Sequence, residues 1–187
     1  SPHNNVSGVA LLGGGSYPKP GEISLAHNGV LFLDELPQYN RAALEELRQP
    51  LEDHKISISR AKFSAEFPSS FMLIAAMNPC PCGHYGDPNH ECTCSQIEVQ
   101  KYMSRISGPL MDRIDLQVKI SPLSHKELLE NKGGEASANI RARVEKARKI
   151  QQERFKDEKT IHCNGQMEKR PCDMYCKISS EAEELLE

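Results

Sequence analysis

No long apolar run occurs in the 187 residues of this chain, and no segment resembles a signal peptide or a membrane span. The formal net charge is −3. The chain therefore lacks the overall positive charge that would by itself argue for nucleic acid, and any basic surface must be local. It has no internal repeat and no low-complexity segment. A phosphate loop of the form GxxxxGK[ST] is also missing. Gly13-Gly14-Gly15-Ser16 is rich in glycine but has no Lys-Ser/Thr pair for phosphate, and it reads as a flexible turn. There is no initiator Met, and the last residues, Leu185-Leu186-Glu187, read as the inside of a helix.

Hydrophobic residues make up 38% and charged residues 26%, a balance that supports one sizeable core or one domain plus part of another. Cysteines number seven, and four of them are compressed into Cys80-x-Cys82 and Cys92-x-Cys94. Such spacing points to metal ligation rather than to a secreted disulfide framework, and the expected compartment is the reducing cytoplasm.

The chain is organised around Gly29-Val30-Leu31-Phe32-Leu33-Asp34-Glu35-Leu36. Its apolar run, rich in branched and aromatic side chains, predicts a strand buried on both faces. It ends in adjacent carboxylates where a turn residue is expected, and parallel strands deliver functional groups at their carboxyl ends. In a nucleotide hydrolase the first carboxylate, here Asp34, holds Mg²⁺ and the second, Glu35, polarises the attacking water. That is a Walker B pattern; a strand ending in a solvated acidic turn is the other reading. A Walker B strand without a phosphate loop predicts a fragment whose phosphate-binding half lies upstream and which does not hydrolyse ATP alone.

Around this strand, residues 8–12 predict a short strand or helix end. Glu22-Ile23-Ser24-Leu25-Ala26 alternates and predicts a half-exposed strand. Asn40 is a good N-cap for a helix from Arg41 to about Gln49, with Leu44, Leu47 and Leu51 inward and Pro50 bending or ending it. Residues 55–67 alternate on both sides of Arg60 and predict a β-hairpin with a basic tip. Phe71–Met77 is a second apolar run, ending in Asn78-Pro79, and predicts a buried strand parallel to the first. A cysteine-bearing loop follows over 80–94, then a helix from Ile97 to about Ile106 interrupted by Gly108-Pro109, and an alternating strand over Leu116–Ile120. Pro122 marks a boundary. Beyond it hydrophobic residues thin out, Gly133-Gly134 forms a joint, Ser137 is placed to cap a helix to about Phe155, and a last helix begins near Ser179 or Ser180.

The four thiols suit a tetrahedral Zn²⁺ site of Cys80, Cys82, Cys92 and Cys94, with His84 or His90 able to replace one ligand and reduced, metal-free cysteines as the alternative. Zinc there would be structural, closing a loop too polar and too rich in Gly and Pro to fold alone.

The order of the segments 21–37, 74–83 and 107–115 resembles the AAA+ magnesium-chelatase-like ATPases, and among them the ComM-type (competence and DNA branch-migration) branch. The resemblance covers nearly the whole chain; one departure is Pro2-His3-Asn4, where the family tends to show Pro-His-His. It implies a partial AAA+ α/β fold with a parallel sheet and β-hairpin inserts over 1–122, followed by the start of a helical lid over 123–187. It implies Mg²⁺-ATP at Asp34, Glu35 as catalytic carboxylate, Asn78 as sensor 1 and Arg113 as an arginine finger reaching a neighbour's γ-phosphate, with Arg105 a weaker interface candidate. A finger acting in trans requires an oligomer, in this family a hexameric ring. The hairpin resembles the pore-lining hairpin of ring helicases, which makes Arg60 and Lys62 DNA-backbone contacts, and the 22–26 strand another pore-facing insert. The implied task is ATP-driven branch migration on single-stranded or branched DNA. The alternatives are a magnesium-chelatase-type metal-insertion motor and a zinc-bearing interaction module without activity.

Overall fold

The computed structural model describes every residue except 1, 4, 5, 16, 61, 62, 122–132, 186 and 187. The chain forms two compact units, Ser1–Pro122 and Leu123–Glu187.

The first unit is a mixed α/β layer built on a short parallel strand pair. Helix α1 (Gly8–Leu12) is capped by the Ser7 side chain and leads into a two-stranded bridge of β1 (Gly13–Gly14) and β2 (Lys19–Pro20). Gly13 has φ 101°, and a Cβ there would lie 2.2 Å from the Lys19 carbonyl, so only glycine fits this approach. Glu22–Leu25 is a helical turn, α2, and not the expected strand. Of its apolar pair only Ile23 is buried, Leu25 being 69% exposed, because Gly21 caps a turn whose carbonyls bond forward to Leu25, Ala26 and His27. Over so few residues, period two and a single helical turn bury the same side chain.

Strand β3 (Val30–Leu33) runs parallel to β6 (Met72–Ala75), with Val30 opposite Met72 and Leu33 opposite Ala75. The ladder extends beyond both, from Asn28 N–H to Ser70 C=O (2.6 Å) to Leu36 N–H to Ala76 C=O (3.0 Å). The expectation of burial on both faces fails. Leu31 and Leu33 are buried, yet Val30 is 55% and Phe32 38% exposed, and Met72 and Ile74 across the ladder are exposed as well. No second layer among the described residues covers that face. Such a run records a strand able to sit between two layers; it does not supply the second layer.

A 3₁₀ turn (Leu36–Gln38) leads to α3 (Arg41–Glu45), capped by the Asn40 side chain on Ala42 N–H (2.8 Å). The expected single helix is two: α4 (Arg48–Asp53) follows after a break at Glu46-Leu47. Pro50 neither bends nor ends it, because it lies in the first turn of α4, where a missing N–H costs little. Hairpin strands β4 (Lys55–Arg60) and β5 (Phe63–Pro68) pair antiparallel, with Arg60 opposite Phe63.

After the cysteine loop, Ser95 and Glu98 form a capping box that starts α5 (Gln96–Met103). Gly108-Pro109 does not interrupt a helix; it opens α6 (Gly108–Met111), capped by Ser107. Residues 116–120 are not a strand. Leu116, Val118 and Ile120 are all exposed, since no described segment offers them a pairing edge. The core gathers Leu11, Ile23, Leu33, Leu44, Leu47 and Leu110.

The second unit contains α7 (Ser137–Arg154), a 3₁₀ turn (Asn164–Gln166), α8 (Lys169–Tyr175) and α9 (Ser180–Glu184). Ala136, not Ser137, is the N-cap of α7, while Ser179 does cap α9. Phe155 and Tyr175 meet edge to face with ring centroids 5.7 Å apart, and the Arg154 guanidinium lies over both rings.

The two faces of β3 differ in what they stabilise. Leu33→Ala, at a fully buried position, is expected to cost about 2–5 kcal/mol in urea unfolding, and Phe32→Ala on the open face about 1 kcal/mol or less. Equal losses would mean that the outer face is covered in solution.

Candidate functional site

The register of β3 and β6 decides which groups meet. Because Leu33 stands opposite Ala75, the chains leaving the sheet carry Asp34-Glu35 and Asn78 at one carboxyl edge, still joined by Leu36 N–H to Ala76 C=O. All three side chains are exposed there. Glu35 takes a left-handed conformation (φ 51°, ψ 47°), and its N–H is capped by Asp34 Oδ1 at 2.9 Å. A left-handed carboxylate residue costs of order 1 kcal/mol, which the surrounding turn must offset. It also ends the extended backbone of the strand, so the rule that neighbouring side chains of a strand point to opposite faces does not carry past Asp34.

Two tyrosines flank the acidic pair, and sequence reasoning passed over both. Tyr39, at the end of the 3₁₀ turn, is buried; that burial and then the charge of Asp34 raise its phenol pKa. Its hydroxyl donates to the Pro2 carbonyl at 2.8 Å. Tyr102 on α5 is raised first by burial, then by the carboxylate of Glu35 and the sulfur of Cys80, while Arg105 and the backbone of Asn78 pull it down. Its signal in the sequence was the spacing of Val99 and Tyr102, which puts both on the buried face of α5.

The basic candidates sit differently. Arg105 donates to the Pro37 carbonyl at 3.2 Å, against the loop after the acidic pair. Arg113, just beyond α6, donates to the Pro109 carbonyl at 3.3 Å and pairs with Glu52 of α4. The two aspartates beside it in the chain, Asp112 and Asp115, form no salt bridge with it among the described residues. Arg60 ends β4 at the hairpin tip, and Lys62 lies outside the described residues.

Four sulfurs converge in the loop after Asn78. Cys80 is fully buried, and Sγ–Sγ separations are 3.4 Å (Cys80–Cys82), 3.5 Å (Cys82–Cys92) and 3.7 Å (Cys80–Cys92), with Cys94 in the same group. Four thiolates at about 2.3 Å from one tetrahedral Zn²⁺ lie about 3.8 Å apart. The donor set fits that ion. Backbone N–H from His84, and then Thr93 and neighbouring thiols, draw the Cys82 thiol down to about 5. The backbone of Cys82 pulls Cys94 the same way, but burial and the sulfurs of Cys82 and Cys80 outweigh it and push that thiol up to about 12. His84 and His90 do not join the sulfurs; they meet around Asp87 instead.

These features define a mixed α/β protein that brings carboxylate and amide groups to one edge of a parallel strand pair, beside a four-thiol loop. Comparison with known proteins narrows that class. The family described as "Magnesium chelatase, subunit ChlI" matches residues 1–128, and "Magnesium chelatase, subunit ChlI C-terminal" matches residues 134–187. The chain belongs to this magnesium chelatase family, in its ComM-type branch. It is 52% identical over 156 residues to "Competence protein ComM" of Haemophilus influenzae, covering 82% of this chain and 30% of that protein. It is 44% identical over 183 residues to YifB of Escherichia coli, covering 97% of this chain and 35% of that one. The chain thus spans about a third of the length of these curated relatives. Among solved structures, NtrX of Brucella abortus in complex with ADP aligns with 58% of this chain and 21% of its own, at 17% identity and a TM-score of 0.38, a likeness too slight to bear on the fold.

The Arg113–Glu52 pair lies at the surface, with Glu52 about half exposed. Glu52→Gln is therefore expected to change unfolding free energy by less than about 1 kcal/mol. A loss several times larger in urea titration would make the pair a structural clamp.

Proposed function

We propose that this chain is the catalytic edge of a ring-forming AAA+ ATPase that moves on DNA. The observation that carries the reading is the shared carboxyl edge of β3 and β6, where Asp34-Glu35 and Asn78 emerge side by side and exposed. In this reading Asp34 holds the Mg²⁺ of Mg²⁺-ATP, Glu35 takes the proton of the attacking water, and the neutral Asn78 amide orients that water or the γ-phosphate. Arg113 reaches the γ-phosphate of the neighbouring subunit, releasing Glu52 as it does so, and offsets the charge that develops in transfer. The ring is a hexamer, residues 1–122 are the C-terminal part of the ATPase core, and 123–187 begin the helical lid. The phosphate loop comes from outside these residues, so the chain alone does not turn over ATP.

In this reading Arg60, at the end of β4, and Lys62, which lies outside the described residues, grip a phosphate backbone as the ring cycles, which suits single-stranded or branched DNA and branch migration. The name of the Haemophilus relative, a competence protein, supports that substrate. Cys80, Cys82, Cys92 and Cys94 hold a structural Zn²⁺ that fixes the loop behind Asn78. No helix among the described residues is long and apolar enough to cross a membrane. A second reading is favoured by the family description itself: a motor that drives Mg²⁺ into a porphyrin through partner subunits. DNA binding that weakens steeply with salt separates the two, because only the first needs the phosphate backbone.

In the full-length protein Glu35→Gln is expected to slow ATP turnover on the order of 10²–10⁴-fold with nucleotide binding retained. Unchanged turnover would remove Glu35 from catalysis and leave an inactive interaction module standing. Rings mixed from Glu35→Gln and Arg113→Ala subunits should recover part of the activity if the guanidinium acts across the interface. For the cysteine loop, elemental analysis is expected to find about one Zn²⁺ per chain, with the thiols shielded from alkylation until a chelator is added. Freely titrating thiols without zinc would end that assignment.

A further inference from the structure

The histidines of the cysteine loop are not spent on the sulfur cluster. His84 Nδ1 lies 3.4 Å and His90 Nδ1 3.2 Å from the same oxygen, Asp87 Oδ2. The other oxygen, Oδ1, accepts the Asn89 N–H at 2.8 Å, which fixes the plane of the carboxylate. Asp87 N–H closes a turn on the His84 carbonyl at 3.0 Å, and Gly86 at φ 77° allows the chain to fold that tightly. The imidazole centroids are 5.0 Å apart, and one ligand atom from each residue lies within 4.8 Å of the others. Ligands held about 2.0–2.1 Å from a tetrahedral ion are about 3.4 Å apart, which is the spacing between this carboxylate oxygen and its imidazole partners. The Asp87 side chain is only 9% exposed, whereas His90 is 65% exposed and His84 also faces water. The carboxylate is held in place and the approach is open.

We propose that His84, Asp87 and His90 form a second metal site, distinct from the four thiolates, which takes an exchangeable late-transition divalent cation such as Zn²⁺, Co²⁺ or Ni²⁺. Two neutral imidazoles and one carboxylate are the donor set such ions prefer, and water completes the coordination. Binding through Nδ1 uses the lone pair on that nitrogen, so the tautomer that fits a filled site carries its proton on Nε2. The sulfur cluster, with its buried Cys80, holds its ion permanently, while this outer site fills and empties with the free metal level and stiffens residues 84–90 when full. The inference is independent of the ATPase reading, because it concerns only what this loop binds.

The test is a Co²⁺ titration of the intact protein with zinc already on the thiolates, followed by visible absorption and elemental analysis. The expected result is uptake of cobalt with weak d–d bands and no sulfur-to-cobalt charge transfer, lost in the double variant His84→Gln/His90→Gln while the zinc remains. Uptake that brings charge transfer reports the cysteines instead and counts against a second site. No uptake by the wild-type protein, or undiminished uptake by the double variant, overturns the proposal. If the double variant also sheds its zinc, the single His90→Gln change at the exposed ring decides: cobalt lost with zinc kept supports the site, and cobalt kept refutes it.

Discussion

The parallel pairing of Val30–Leu33 with Met72–Ala75 is the constraint on which the rest of the first unit depends. Slipping that ladder by one residue would send Leu31 and Leu33 to the open face and turn Val30 and Phe32 into the core. It would also shift the acidic pair relative to Asn78, which follows the paired end of β6 by three residues. The core beneath is what fixes the register: Leu33 is fully buried among Leu11, Ile23, Leu44, Leu47 and Leu110. Packing and chemistry are therefore one problem here, with the buried face setting the position of the exposed edge.

That edge is built from strained and charged parts held by modest contacts. Glu35 is left-handed, its N–H is met by the preceding Asp34, and the next residue, Leu36, returns to the ladder and to the core. A carboxylate placed this way is exposed but not loose. The charge of Asp34 reaches the buried Tyr39 and that of Glu35 reaches Tyr102, which α5, started by the Ser95–Glu98 capping box, carries to the backbone of Asn78. The cysteine loop between Asn78 and α5 is thus anchored at both ends, and its sulfur cluster supplies the interior that its composition cannot. In the same loop, the rings of His84 and His90 face Asp87 rather than the sulfurs, so two donor sets of different chemical softness lie within one short segment.

Much of this was legible before any coordinates. The parallel neighbourhood of the two apolar runs, the existence of a hairpin over 55–67 (its turn falls just after Arg60, not on it), the Asn40 cap, the grouping of the four cysteines and the Ser179 cap were readable from short patterns: apolar runs, a turn residue, an oxygen that can accept a backbone N–H, thiols a few residues apart. Three of the misreadings turn on periodicity. Glu22–Leu25 folded as a helical turn, Leu116–Ile120 found no partner strand, and Val30 and Phe32 stayed at the surface, although each segment carried an acceptable pattern. Periodicity says which side chains can share a face; it cannot say whether another element exists to meet them.

What the amino-acid order determined by itself is therefore the inventory of short-range pieces: caps, turns, apolar runs, and the succession of acidic pair, amide, thiols and guanidinium along the chain. Only the tertiary structure decided that Glu35 turns left-handed, that Arg113 pairs with Glu52 rather than with the aspartates beside it, and that the histidines gather around Asp87. The physical reason is reach. Backbone propensity and capping act within a few residues, whereas an ion pair across 61 positions exists only once the core has brought its two ends together.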